Sequence, residues 1–138
     1  MIRKINLRVY GLCLKEKKVL VLHEHYQSHP LIKFPGGGLE LGEGIIDCLK
    51  REFSEELNLK LTHWEHFYTQ EDFIVSKFRS DEQLLTVYYL VETENHSPET
   101  PADPNIEKTE WLPLESEDNP FPLPVDRIVF DKLKKRFL

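Results

Sequence analysis

The sequence predicts an α+β domain in which a mixed β-sheet is packed between helices. Three observations lead there. Segments with apolar alternation, or rich in β-branched and aromatic residues, lie on both sides of a mid-chain segment with helical periodicity. A second helical segment closes the chain. The 138 residues carry no internal repeat and no linker, so residues 1–138 are expected to form a single domain large enough to bury a real core. Strands interrupted by one helix and followed by another bury both apolar stripes by layering the helices on the sheet.

The elements follow in chain order. Residues 4–15 alternate apolar side chains and read as a strand, and residues 19–25 as a second, joined by a charged turn. Residues 34–43 hold four glycines in ten and read as a loop. Beyond it Ile45, Ile46, Leu49, Phe53 and Leu57 fall on one stripe when wound at about 100° per residue. Asp47, Lys50, Arg51, Ser54 and Asn58 fall on the opposite face, which marks a helix. Residues 61–75 mix aromatic and polar side chains, enough for one or two strands with a bend, and residues 84–92 (LLTVYYLVE) form the strongest strand signal of the chain. Residues 93–105 read as a polar loop with three prolines, and residues 110–114 as a short strand. The stretch SEDNPFPLP that follows cannot be regular helix. From Val125 to residue 137 the helical period returns, with Ile128, Val129, Leu133 and Phe137 on one face and basic residues in the last turn.

Glu52 and Glu56 break the polar and apolar halves of the first helix. They are four residues apart, stacked on one side, and lie at the margin of the apolar stripe, with Glu55 one step further out. Acidic groups so placed repel one another and are partly shielded from water, which costs stability unless a cation neutralises them. Carboxylate oxygens suit a hard ion such as Mg²⁺ or Mn²⁺. A solvated acidic helix is the competing reading, and the segment before the helix argues against it. There Gly36, Gly37, Gly38 and Gly42 allow close backbone approach to a ligand, immediately ahead of a helix N-terminus that favours anions.

From Gly37 to Leu59 the chain reads GGLELGEGIIDCLKREFSEELNL, or G-x5-E-x7-R-E-U-x-E-E-x-N-U with U a bulky apolar residue. This resembles the signature of the Nudix (MutT-type) hydrolases at Gly37, Glu43, Arg51, Glu52, Phe53, Glu55, Glu56 and Leu59. The one departure is Asn58, where the family has glycine; asparagine also tolerates the left-handed conformation of a helix cap. The resemblance implies the Nudix α/β/α sandwich and hydrolysis of a nucleoside diphosphate linked to another moiety. It implies Mg²⁺ (or Mn²⁺) bound by Glu52, Glu55, Glu56 and the carbonyl of Gly36, with a further glutamate from a later loop, Glu107 first and Glu110 next. Arg51 would hold the glutamates by charge-assisted hydrogen bonds, Glu43 would brace the loop, and Gly37 and Gly38 would support the site. Glu52 is expected to activate the water, with Glu55 as second choice.

Substrate class is less sharply written. The segment Asn119, Pro120, Phe121, Pro122, Leu123, Pro124 running into a helix resembles the Phe-Pro loop of the MutT branch, which converts nucleoside triphosphate to monophosphate and pyrophosphate. Val125 stands where that branch has a purine-reading asparagine. The alternatives are an ADP-ribose or nucleotide-sugar pyrophosphatase, and a nucleotide-sensing domain without turnover. The proline marking many ADP-ribose pyrophosphatases is missing, since Ile74 and Val75 stand there, and the intact glutamates argue against a sensor. Among Trp64, Phe67, Tyr68, Phe73 and Phe78, one at most is expected to stack a base. His23 and His25 share a strand face without a third soft ligand, and His63 and His66 carry no functional claim.

Composition frames the partners. Hydrophobic content of 40% and charged content of 30% are those of a soluble globular chain. A net charge of −6 argues against binding polymeric nucleic acid, so the expected partner is a small nucleotide, and the family is compatible with a homodimer. No signal peptide or membrane span is expected. Two cysteines, Cys13 and Cys48, make neither a disulfide framework nor a zinc motif, and a reducing cytoplasm is the expected compartment.

Overall fold

The computed structural model describes residues 1–94 and 101–138. Its strands are β1 Lys4–Lys15, β2 Lys18–Tyr26, β3 His29–Lys33, β4 Gly36–Gly38, β5 Leu61–Thr69, β6 Ile74–Val75, β7 Glu82–Thr93 and β8 Ile106–Pro113. The helices are α1 Ile45–Leu57 and α2 Pro124–Phe137. The strand order is β3-β2-β1-β7-β5, with β4 on β1, β6 on β7 and β8 on β2. The sheet is mixed, because β1 and β7 run parallel while the other pairs are antiparallel.

One feature of the pairing positions the site. β1 and β2 are paired only beside their turn, at Leu14–Val19 and Lys15–Lys18. Further along, β2 takes β3 as its neighbour from Leu22 to Tyr26, while β1 takes β4 from Arg8 to Tyr10. The strands therefore part, and the chain between β3 and β4 crosses from one half of the sheet to the other. The opening this leaves is the cleft described below.

Both sheet faces are buried, each under one helix. Val19 and Val21 lie in the cluster with Tyr10, Leu12, Tyr88 and the α2 residues Val125, Val129, Phe130 and Leu133. Their alternates Leu20 and Leu22 lie in the cluster with Val9, Val91 and the α1 residues Cys48, Leu49, Phe53 and Leu57. Each fully buried apolar side chain contributes roughly 1.5–3 kcal/mol, so the two clusters are the bulk of the stabilising term. Gly11 is the close-approach point of this packing, since a Cβ there would lie 2.4 Å from the Phe53 ring.

The helix ends obey local rules. Asn58 caps α1 at φ 53° and ψ 40°, left-handed as expected, with the Leu59 N–H reaching back to the Phe53 carbonyl. At the other end the Gly44 N–H donates to the Asp47 carboxylate. α2 begins one residue before the expected Val125, with Pro124 in its first turn, where a missing N–H costs nothing.

Several sequence expectations need correction. Residues 36–38 are a strand rather than part of a loop, and residues 29–33, which carried no assignment, are another. β3 follows a two-residue turn in which Gln27 and Ser28 both take positive φ without the Asn-Gly that usually announces it, and Pro30 sits in it at a sheet edge. β4 is all glycine, so it has no side-chain pattern to read. β8 begins at Ile106, not residue 110. On α2 the buried face is Val125, Asp126, Val129, Phe130 and Leu133; Ile128 is exposed and Phe137 half-buried. The polar loop expected over 93–105 falls partly on residues 95–100, outside the described residues.

Candidate active site

Arg51 organises the acidic face of α1. Its Nε and Nη2 donate to the two Glu43 carboxylate oxygens at 2.6 and 3.0 Å, a bidentate pair. Nη1 donates to Glu52 Oε1 at 2.8 Å and Glu55 Oε2 at 3.2 Å, and Nη2 also reaches the Gly38 carbonyl at 3.0 Å. One guanidinium thus ties the glycine strand, the loop after it and the helix together. Hydrogen bonds from Arg51 and from the Glu40 N–H hold the Glu43 carboxyl at about 2, so it stays charged throughout the neutral range.

Glu56 points the other way, into the protein, and is 4% exposed. Its Oε1 accepts the Gly36 N–H at 2.8 Å, and its Oε2 lies 3.3 Å from the ammonium of Lys33. Burial pushes the Glu56 carboxyl up to about 7, against the pull of Lys33 and the Gly36 N–H. Burial also opposes the charge on Lys33, yet the attraction of Glu56, Tyr10 and Glu24 prevails and its pKa is raised.

The donor types here, three carboxylates and a backbone carbonyl around a strand where side chains are absent, suit a hard divalent cation, although the Gly36 carbonyl and Glu56 are already engaged by Lys33. A Cβ on Gly37 would lie 2.6 Å from the Glu52 carboxylate, so only glycine leaves that carboxylate its place. Among the described residues, however, no group of three or more His, Cys, Asp or Glu is gathered tightly enough to hold an ion. The reason is that Arg51 draws Glu52 and Glu55 outward while Lys33 draws Glu56 inward. Glu107 and Glu110 are on β8, where Glu107 lies 3.9 Å from His25 and Glu110 bonds His23 at 2.7 Å. These contacts also account for His23 and His25. Cys48 is buried with its Sγ against the Gly37 and Gly38 carbonyls, a small filler under the glycine strand.

The cleft between the parted strands holds a cavity of about 330 Å³. Arg8, Tyr10, Glu24, Lys33, Tyr26, Phe78 and Asp126 are among its lining. Arg8 donates to the Tyr10 hydroxyl at 2.6 Å and approaches Gly38, so its guanidinium lies between the cavity and the glycine strand. Tyr26 and Phe78 meet at 4.5 Å between centroids and offer aromatic surface. Of the five aromatics singled out after the helix, Phe78 alone is in the cavity wall. Lys50, Arg136 and Lys132 cover Trp64, Phe67 and Tyr68 instead, and Phe73 is exposed.

The Phe-Pro stretch explains how α2 reaches this cavity. Phe121 is buried and its ring lies 4.5 Å from that of Phe34, next to the glycine strand. This contact holds the start of α2 over the cleft, where Val125 packs into the core and Asp126 lines the cavity. Asp126 is 2% exposed, accepts the Tyr88 hydroxyl at 2.5 Å through Oδ1, and among the described residues finds no partner for Oδ2. Arg8, Lys33, Tyr88 and Asp126 were not legible as site residues. Asp126 was the nearest to being so, one residue beyond the position aligned with the purine-reading asparagine.

Burial raises the Asp126 carboxyl from 3.8 to about 6, with the Tyr88 hydroxyl opposing. A raised carboxyl pKa means the folded state holds the proton more tightly than the unfolded chain. The associated stability is fully present below about pH 4, is lost as pH rises through 6, and stays lost above. The rise from 3.8 to about 6 corresponds to roughly 3 kcal/mol. Asp126→Asn removes the charge but leaves an amide N–H₂ without an acceptor, which takes back about 1–2 kcal/mol. The expected result is a thermal midpoint a few degrees above wild type at pH 8 and no gain at pH 4. A constant difference across that range would show that Asp126 does not carry the shifted proton.

Comparison with known proteins places this geometry. The NUDIX domain family model matches residues 3–132. No curated protein sequence matches the chain. Among solved structures, a NUDIX hydrolase from Nitrosomonas europaea is similar with a TM-score of 0.77 at 17% identity, covering 95% of this chain and 88% of that one. A MutT NUDIX hydrolase from Burkholderia pseudomallei is similar with a TM-score of 0.76 at 16% identity, covering 94% and 98%. A structure in a study of MutT from Aliivibrio salmonicida and Vibrio cholerae is similar with a TM-score of 0.72 at 17% identity, covering 96% and 99%. At such identities the likeness is one of fold. No helix among the described residues is long and apolar enough to cross a membrane.

Proposed function

The chain belongs to the NUDIX family of hydrolases, and from that premise we propose that it is a divalent-metal-dependent pyrophosphohydrolase that converts a nucleoside triphosphate to monophosphate and pyrophosphate. The observation that carries the reading is the cavity beside the glycine strand. Its wall combines aromatic and hydrogen-bonding surface suited to a base with a cation, Arg8, that approaches the glycine strand.

In this reading the base lies against Tyr26 and Phe78, and an N–H donor on its edge meets the free Oδ2 of Asp126. Arg8 binds the phosphate chain and directs it toward β4, where three successive glycines let the backbone come close. Glu52 accepts a proton from water as the water oxygen attacks phosphorus and the bond to the bridging oxygen breaks. Pyrophosphate and the nucleoside monophosphate are the products. Arg51 keeps Glu52 and Glu55 in place, and these two carboxylates would hold the divalent ion. When bound, that ion polarises the phosphate and offsets the charge on the leaving group.

The test is product analysis with Mg²⁺ over nucleoside triphosphates, ADP-ribose, nucleotide sugars and dinucleoside polyphosphates. Pyrophosphate from a triphosphate is the expected result. Turnover confined to ADP-ribose or a nucleotide sugar would move the substrate class, and binding without turnover would replace catalysis by sensing. A second check uses Gly37→Ala. The backbone there tolerates alanine, since φ is not positive, but the new methyl displaces the Glu52 carboxylate. We expect kcat to fall about 10- to 100-fold with the melting midpoint nearly unchanged; unaltered kcat would mean Glu52's position is not critical.

A further inference from the structure

The Lys33 ammonium sits where the innermost oxygens of this site converge. It donates to the Gly36 carbonyl at 3.1 Å and lies 3.3 Å from Glu56 Oε2 and 3.7 Å from Glu24 Oε2. The other Glu56 oxygen is engaged by the Gly36 N–H at 2.8 Å. The side chain is 8% exposed, and Tyr10 closes over it with its ring centroid 5.9 Å from Nζ. The inner carbonyl and carboxylate that a hard cation would need therefore already surround a positive charge belonging to the chain.

The two cations exclude each other. A divalent ion binds oxygen at about 2.0–2.6 Å, so one on the Gly36 carbonyl or Glu56 would lie within a few ångströms of an ammonium held at 3.1 and 3.3 Å from the same groups. In a buried setting that repulsion is large. Lys33 borders the cavity, but β3 fixes its Cα opposite Leu22, and withdrawal to the cavity side brings its ammonium toward Arg8, itself positive.

We propose that Lys33 is a resident cation of this centre: it fills the position between the Gly36 carbonyl and Glu56, so that without substrate the chain holds divalent ions only through Glu52 and Glu55. Glu56 is then a structural partner that fixes Lys33 and the glycine strand, not a metal ligand. The proposal rests on the hydrolase reading for assigning these carboxylates to metal. A nucleotide-free measurement separates its failure from failure of that reading, which is judged by turnover.

The experiment is titration of the metal-free full chain with Mn²⁺, following free Mn²⁺ by its electron paramagnetic resonance. Wild type and Glu56→Gln are expected to bind the same number of ions with affinities within about twofold. Lys33→Met is expected to bind one ion more, or to bind about tenfold more tightly, and Lys33→Met with Glu56→Gln to lose that gain. The proposal is overturned if Lys33→Met binds as wild type does, or if Glu56→Gln alone loses an ion. Circular dichroism checks folding of each variant; should Lys33→Met not fold, the comparison of wild type with Glu56→Gln decides.

Discussion

Glu52→Gln is expected to lower kcat about 10³-fold while leaving the melting midpoint close to that of wild type. Removing a positioned general base costs typically 10²–10⁴-fold, so the figure is about mid-range. The amide keeps the size of the carboxylate and its Oε1 still accepts from Arg51 Nη1, a contact of 2.8 Å in the wild type. What is lost is the ability to take a proton and the negative charge beside Glu55. Ligand binding should persist, because the cavity wall does not include Glu52. The measurement is single-turnover hydrolysis of the best panel substrate, alongside binding by calorimetry. Glu55→Gln, run in parallel, is expected to lose less, since Glu55 is the more exposed of the two. A larger loss at Glu55 would transfer the base to that residue, and wild-type rates in both would remove the acidic helix from the chemistry.

Gly36→Ala is expected to have the largest effect on folding. Gly36 has φ +145°, a region that L side chains avoid, and a Cβ there would lie 2.1 Å from the Val9 carbonyl oxygen and 2.7 Å from the Tyr10 Cα. Both obstacles are backbone, so no side-chain rotation relieves them. Relief requires β4 to leave β1, which breaks the pairing of Gly36 with Tyr10 and frees the Gly36 N–H from Glu56. Strain of this kind with lost buried hydrogen bonds amounts to more than about 3 kcal/mol, a midpoint drop of roughly 10 °C or more. Gly42→Ala is the control. Its φ of +87° is also unfavourable, but among the described residues nothing lies within 4 Å of the added methyl, and about 1–2 kcal/mol is expected. Equal midpoints for the two variants would show that the close approach at Val9 is not what makes Gly36 necessary.

The parts of the fold that were legible in advance are those whose physics is local. The α1 stripe, the αL cap at Asn58, the long β1 and β7 strands and the basic end of α2 follow from periodicity and residue chemistry. What went unread lacked a local signal. β4 has no side chains to alternate, and β3 follows a turn made by Gln27 and Ser28. Ile128 looks as apolar as Val129, but the helix can turn only one face to the sheet.

The same division runs through the candidate site. The sequence by itself determined the family and the fold it entails, and it set out the spacing of Glu43, Arg51, Glu52, Glu55 and Glu56, because glutamates three or four apart on a helix must share a side. Only the tertiary structure decided which way each carboxylate turns. Arg51 gathers Glu43, Glu52 and Glu55 around its guanidinium, whereas Glu56 goes inward to Lys33, a residue 23 positions earlier that β3 delivers to the same spot. The cavity arises because β2 exchanges β1 for β3, and Asp126 enters it because Phe121 anchors α2 on Phe34. These are long-range pairings, and a charge's partners and burial depend on them rather than on its neighbours in sequence.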